Sequence, residues 1–134
     1  MVLVDSSVFI EFFRGKDIAS FKELLLNNQI ALSHYVRLEL IQGVRKDERH
    51  RLEYVLGGLT MIPPHEKVFE HAEQLLLKLT GVGFTLGTID LLLASESNLT
   101  HSPIFSYDAI FSKLAQKKLI HCFNPSPVRN LRLI

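Results

Sequence analysis

Four carboxylates stand in apolar surroundings where acids are expensive. Asp5 closes the run VLV, Glu39 lies between Leu38 and Leu40, Asp90 sits between Ile89 and LLLA, and Asp108 follows PIFSY. An ionised carboxylate in an apolar setting is costly unless it is paired or holds a cation. If four such groups converge, their repulsion drives the cluster to bind protons or metal. An all-oxygen donor set suits Mg2+, with Mn2+ as an alternative. Mg2+ held by carboxylates serves one chemistry especially well, the attack of water on a phosphodiester, because the ion lowers the pKa of water and neutralises charge on the transferring phosphate.

Each acid also has a plainer role open to it. Asp5 and Asp108 precede helical stretches and are good N-caps. Asp90 is an acid in a first helical turn, favoured there by the helix dipole. Glu39 is within reach of an ion pair with Arg37 or Arg45. Other acids fit only the plain roles: Glu66, Glu70 and Glu73 line a polar helix face, and Asp47 and Glu48 begin a helix. Glu96 lies about 240° round its helix from Asp90 and need not face the same way.

Competing chemistries lack their residues. The histidines at 34, 50, 65, 71, 101 and 121 show no zinc-ligand spacing with Cys122. There is no serine–histidine–acid or cysteine–histidine set, no GxxxxGK[ST] and no GxGxxG. Asp5 as a phosphate-accepting nucleophile would call for DxD, and Ser7 stands at the second acidic position.

The elements that must position these acids read as alternating strands and helices. Short apolar runs predict strands at 2–4, 29–33, 60–63, 103–106 and 119–123. Helical spacing and end signals predict helices from Asp5-Ser6-Ser7 to Gly15, over 17–28 with Asp17 as cap, and over 34–44, 46–59, 65–83, 88–99 and 108–119, with Thr88 capping the sixth. Such alternation predicts an α/β fold with a central, mostly parallel sheet. Ligand sites in such sheets lie beyond the carboxyl ends of the strands, where Asp5 and Asp108 fall.

A length of 134 residues suits one domain, 1–134, with an irregular tail over about 124–134. With 47% hydrophobic and 22% charged residues, disorder is not expected. One cysteine excludes a disulfide framework. A net charge of +1 is no basic nucleic-acid glove. The mean hydropathy of +0.18 is high for a small domain and points to apolar surface covered by a partner or a second copy. No apolar run reaches a membrane span of ~20 residues, and Asp5 and Glu11 interrupt any signal-like segment, so a cytoplasmic location without membrane contact is expected.

Four stretches, VLVDSSVFIEFFRG, SHYVRLELIQGV, TIDLLLAS and IFSYDAIFSKLA, resemble the PIN-domain ribonucleases, specifically the VapC-type toxins of toxin–antitoxin pairs. They come in that family's order and span nearly the whole chain. The resemblance implies a three-layer α/β/α fold with a mostly parallel sheet of four or five strands, and a Mg2+-dependent endoribonuclease. It implies Asp5, Asp90 and Asp108 as metal ligands, with Glu39 completing the catalytic acids. Ser6 and Ser106 fall at the family's small hydroxyl positions beside the acids, serine standing at 106 where threonine is common. Arg14 matches the arginine of the family's RG, either in a surface ion pair or holding RNA phosphate or an antitoxin carboxylate. The implied partners are RNA, a VapB-like antitoxin and a second copy of the chain. Val36, Leu40, Val44, Leu52 and Val55 are candidates either for the antitoxin groove or for the core. Lys113, Lys117, Lys118, Arg129 and Arg132 are candidates for basic flanks or a solvated face. The competing expectation is a PIN fold that binds RNA or protein without cutting.

Overall fold

Three consecutive residues buried on every side require a strand covered on both faces. Val2, Leu3 and Val4 are such a run, and so are Ile30, Ala31 and Leu32. Continuous apolar strands of this kind belong to parallel sheets sandwiched between helices. The computed structural model describes residues 1–81, 83 and 85–125. In it β1 (Val2–Val4) and β2 (Ile30–Leu32) are the central strands of a four-stranded sheet. The outer strands are β3 (Thr60–Met61) and β4 (Ile104–Phe105), the order is β3-β2-β1-β4, and every pairing is parallel.

The helices are α1 (Ser6–Phe13), α2 (Ala19–Leu26), α3 (His34–Gly43), α4 (Arg49–Gly57), α5 (Val68–Leu79), α6 (Thr88–Thr100) and α7 (Ala109–Gln116). Together with the sheet they form the three-layer α/β/α arrangement expected from the sequence. One apolar cluster runs from Val2 to Ile120. Its largest fully buried side chains include Phe9, Phe21 and Phe111. Phe9 meets Phe21 edge-on at 5.5 Å between ring centroids.

Several boundaries differ from the sequence reading. The strand expected at 119–123 is reduced to a single parallel bridge between Ile104 and Cys122. Asp17 does not cap α2: the helix begins two residues later behind Ile18, and the Asp17 carboxylate pairs with Lys22 at 2.7 Å. The 46–59 helix is a 3-10 turn at Lys46–Glu48 followed by α4. Residues 65–67 precede α5, the His65 ring accepting from the Lys67 N–H. Gly87, not Thr88, is the N-cap of α6. Gly15 ends the turn after α1 with a φ of 92°, a left-handed backbone that glycine adopts without strain. Arg129 and Arg132, with the tail from 126 onward, lie outside the described residues.

Candidate carboxylate site

Asp5 follows β1 directly and is 5% exposed. It occupies the N-cap of α1, yet its side chain caps nothing. The Ser106 hydroxyl donates to its Oδ2 at 2.6 Å, and the Ser7 hydroxyl donates to the same oxygen at 3.0 Å. The backbone completes the junction. The Asp5 N–H donates to the Phe105 carbonyl, the Tyr107 N–H to Ser7 Oγ, and the Asp108 N–H to Ser106 Oγ. The ends of β1 and β4 are thus tied by a hydroxyl network centred on one carboxylate.

Asp108 does cap its helix, its Oδ1 accepting from the Ile110 N–H at 3.1 Å. The plain role and a place beside the other acids coincide there. Glu39 projects from α3 and accepts from the Ser6 hydroxyl at 3.1 Å. Its alternative partners are engaged elsewhere: Arg37 holds Glu53 through two bonds of 3.0 Å, and Arg45 pairs with Asp47 and Glu48. Asp90 is the third residue of α6 and is half-buried.

The acids feel one another. Burial pushes the Asp90 carboxyl up to about 6, and the charges of Asp108, Asp5 and Glu39 push in the same direction. Glu39 is raised chiefly by burial, with Asp5 and Asp108 adding to it and the Ser6 hydrogen bond opposing. The ion pairs of Arg14, Lys22, Arg37 and Arg45 all go to other acids and to none of these four. Four chain segments therefore share one patch of negative charge at the carboxyl end of the sheet. The side chains stand apart, however: among the described residues no three histidine, cysteine or acidic groups are close enough, as placed, to hold an ion together.

Beside Glu39 opens a cleft of about 430 Å3 floored by Ile10, Leu40, Val44 and Leu52 and bordered by Arg14, Arg45 and Arg51. Arg51 is held by the Phe13 carbonyl at 3.1 Å. Arg14 pairs with Glu11 at 3.4 Å and its side chain is largely exposed. Val36 is fully buried in the core and Val55 does not line the cleft.

Two residues escaped the sequence reading. Ser7 is one of three adjacent candidate caps; the structure shows it donating to Asp5, two positions back, and accepting from the Tyr107 N–H, 100 positions away. Glu96 is the other. It is 1% exposed, it neighbours the Ser33 hydroxyl, and among the described residues its Oε1 has no hydrogen-bond partner. Its only visible signal was an acid inside the run LLLASES. Burial raises its pKa, while Ser33 and His34 oppose the rise. A raised carboxylate pKa stabilises the fold below the unfolded value and loses that contribution as pH climbs through the folded one. Wild-type stability should therefore decline as pH rises above the ordinary carboxylate range, and Glu96→Gln, neutral throughout, should flatten that decline. Urea midpoints over that rise in pH check this; parallel curves for the two proteins would show that Glu96 is already ionised.

The PIN domain family profile matches residues 2–117. No curated protein matches the chain. Among solved structures, VapBC2 from Rickettsia felis bound to a promoter DNA fragment aligns with a TM-score of 0.75 at 20% identity, covering 92% of this chain and 98% of that one. FitAcB from Neisseria gonorrhoeae aligns at 0.73 and 19% identity, covering 93% and 98%. VapBC-1 from nontypeable Haemophilus influenzae aligns at 0.72 and 13% identity, covering 95% and 100%. A profile match over most of the chain, on a parallel sheet flanked by helices, leads to one family: this chain belongs to the PIN-domain proteins.

Proposed function

We propose that the chain is a divalent-metal-dependent endoribonuclease of the VapC type, the toxin of a toxin–antitoxin pair. The observation that carries this reading is the convergence of Asp5, Glu39, Asp90 and Asp108, whose charges raise the pKa of Glu39 and Asp90. Hard oxygen donors that raise one another's pKa fit Mg2+ or Mn2+. Asp5, Asp90 and Asp108 would hold the ion, which supplies charge neutralisation on the phosphodiester and acidifies water. Because the carboxylates stand apart, cation binding would have to draw them together. Glu39, steadied by Ser6, is the free base that orients the attacking water; Ser7 and Ser106 hold the Asp5 oxygen in place.

The partners follow from the same surface. Arg14, at the edge of the cleft beside Glu39, is assigned to RNA phosphate. The VapBC structures support a VapB-like partner, and the cleft beside Glu39 is the seat proposed for it. A second copy of the chain is the other partner proposed. The apolar cluster among the described residues supports one domain, the reading proposed for 1–134. Among the described residues no helix is long and apolar enough to cross a membrane, and an RNA substrate fits work in the cytoplasm.

The test is cleavage of RNA by the purified chain with Mn2+ or Mg2+ and with EDTA. Cutting that needs the ion supports the reading; RNA left intact with both ions, in protein shown to be folded, overturns it in favour of a binding module. Ser106→Ala should lower cleavage and Mn2+ affinity by roughly 10–100-fold, the usual cost of removing a group that orients a ligand. Ser106→Thr, which keeps the hydroxyl, should retain most of both. Equal loss in the two variants would assign the position to packing alone.

A further inference from the structure

Tyr107 lies between Ser106, which bonds Asp5, and Asp108. It is 46% exposed although aromatic. An exposed aromatic residue is ordinary in itself; this one is anchored. Its backbone N–H is held by Ser7 at 3.0 Å, its ring meets Phe105 edge-on at 5.8 Å, and Lys16 Nζ stands 4.7 Å from the ring centroid. Ser7 bonds Asp5 through the same oxygen, so the ring is in fixed register with the carboxylates.

A groove that takes single-stranded nucleic acid needs two things, an aromatic face for a base and a cation for the backbone. Next to four acids the cation matters doubly, because a bare carboxylate patch repels phosphate. Tyr107 and Lys16 supply both within one contact. We propose that Tyr107 is the stacking platform for the nucleobase flanking the scissile phosphate, with Lys16 as the adjoining phosphate contact; this rests on the ribonuclease reading above. A base–aromatic stack outweighs one exposed ammonium–ring contact. The flexible Lys16 side chain therefore yields the ring to the base and turns to the phosphate. Stacking selects for a base rather than for one hydrogen-bonding edge, so the platform sets register and affinity and leaves sequence choice to other contacts.

The experiment uses the full chain in two arms. In EDTA, anisotropy of a labelled single-stranded RNA oligonucleotide measures binding without cutting. With Mn2+, cleavage kinetics are read on the same oligonucleotide and on one with an abasic nucleotide beside the cut. Tyr107→Ala should weaken binding and raise KM by roughly tenfold or more, a typical loss for one stacked base, with kcat within a few-fold of wild type. Tyr107→Phe keeps the ring and should behave as wild type. The abasic substrate should cost the wild type as much as Tyr107→Ala costs, and cost the variant nothing further. Lys16→Met should weaken binding and make it less salt-dependent.

A wild type that cuts RNA while Tyr107→Ala keeps wild-type KM and binding overturns the platform and leaves the nuclease reading intact. Tyr107→Phe failing as badly as Tyr107→Ala overturns it too, since the hydroxyl would then be the contact. A wild type that never cuts overturns the nuclease reading, and the platform as a subsite of cleavage falls with it; the binding arm then shows whether the ring still takes RNA.

Discussion

Replacing Asp90 by asparagine is expected to leave a folded, slightly more stable protein that no longer cuts RNA. Without metal, burial and the neighbouring acids raise Asp90 from 3.8 to about 6. Its folded pKa lies above its unfolded one, so its contribution to stability is fully present below 3.8 and lost as pH rises through about 6. At pH 7.5 the metal-free wild type therefore carries an ionised carboxylate at a cost that asparagine removes. The gain should be on the order of 1 kcal/mol, a full conversion of the shift being reduced because the group is partly solvated. Melting in EDTA should show the variant's lead largest at pH 7.5 and smaller at pH 5.0, which lies part-way between the two pKa values. Cleavage moves the other way. Losing one charged ligand removes several kcal/mol of transition-state stabilisation, on the order of a 10^3-fold fall in rate. Mn2+ should raise the melting temperature of the wild type and hardly affect the variant. Undiminished cutting by Asp90→Asn would remove Asp90 from the site.

Phe9→Ala carries the largest expected cost in stability. Phe9 is fully buried on α1 and packs edge-on against Phe21, which in turn meets Phe12 at 4.7 Å. Truncating a buried phenylalanine costs about 3–5 kcal/mol, lost transfer energy plus a cavity. Domains of this size are stable by only about 5–15 kcal/mol, so a large share of the total goes. The damage should reach the site as well, because α1 also carries Ser6 and Ser7, which hold Glu39 and Asp5. Urea unfolding should show a midpoint far below wild type, and residual cleavage at low temperature should fall further than the folded fraction alone explains. Phe9→Leu, which refills most of the volume, should recover much of both. A loss under about 1 kcal/mol for the alanine variant would mean that the cavity collapses freely.

Local signals carried the fold a long way. The runs VLV and IAL can only be buried strands, and the 68–79 helix announces itself through apolar spacing. Helix starts were less legible. Asp17 has the right chemistry for a cap, but Lys22, one turn on, offers it a better partner. The 119–123 run has the composition of a strand, yet its pairing with β4 is a single bridge at Ile104, made by the His121 carbonyl and the Phe123 N–H. Glu96 shows the limit most clearly. Its angle round α6 separates it from Asp90, but whether that other side meets water or Ser33 depends on where α3 begins in space.

By itself the sequence determined the order of strands and helices, the kind of donors present and the absence of competing catalytic sets, because periodicity, turn residues and side-chain chemistry act over a few positions. Which acids share a field was decided only by the tertiary structure. Parallel strands in the order β3-β2-β1-β4 bring the ends of β1 and β4 together, so that Ser106 bonds an Asp5 that lies 101 positions away. The same packing gives Arg37 another partner, Glu53, and leaves Glu39 to the cluster. Contacts of that sequence separation are set by how the layers dock, and no local pattern encodes them.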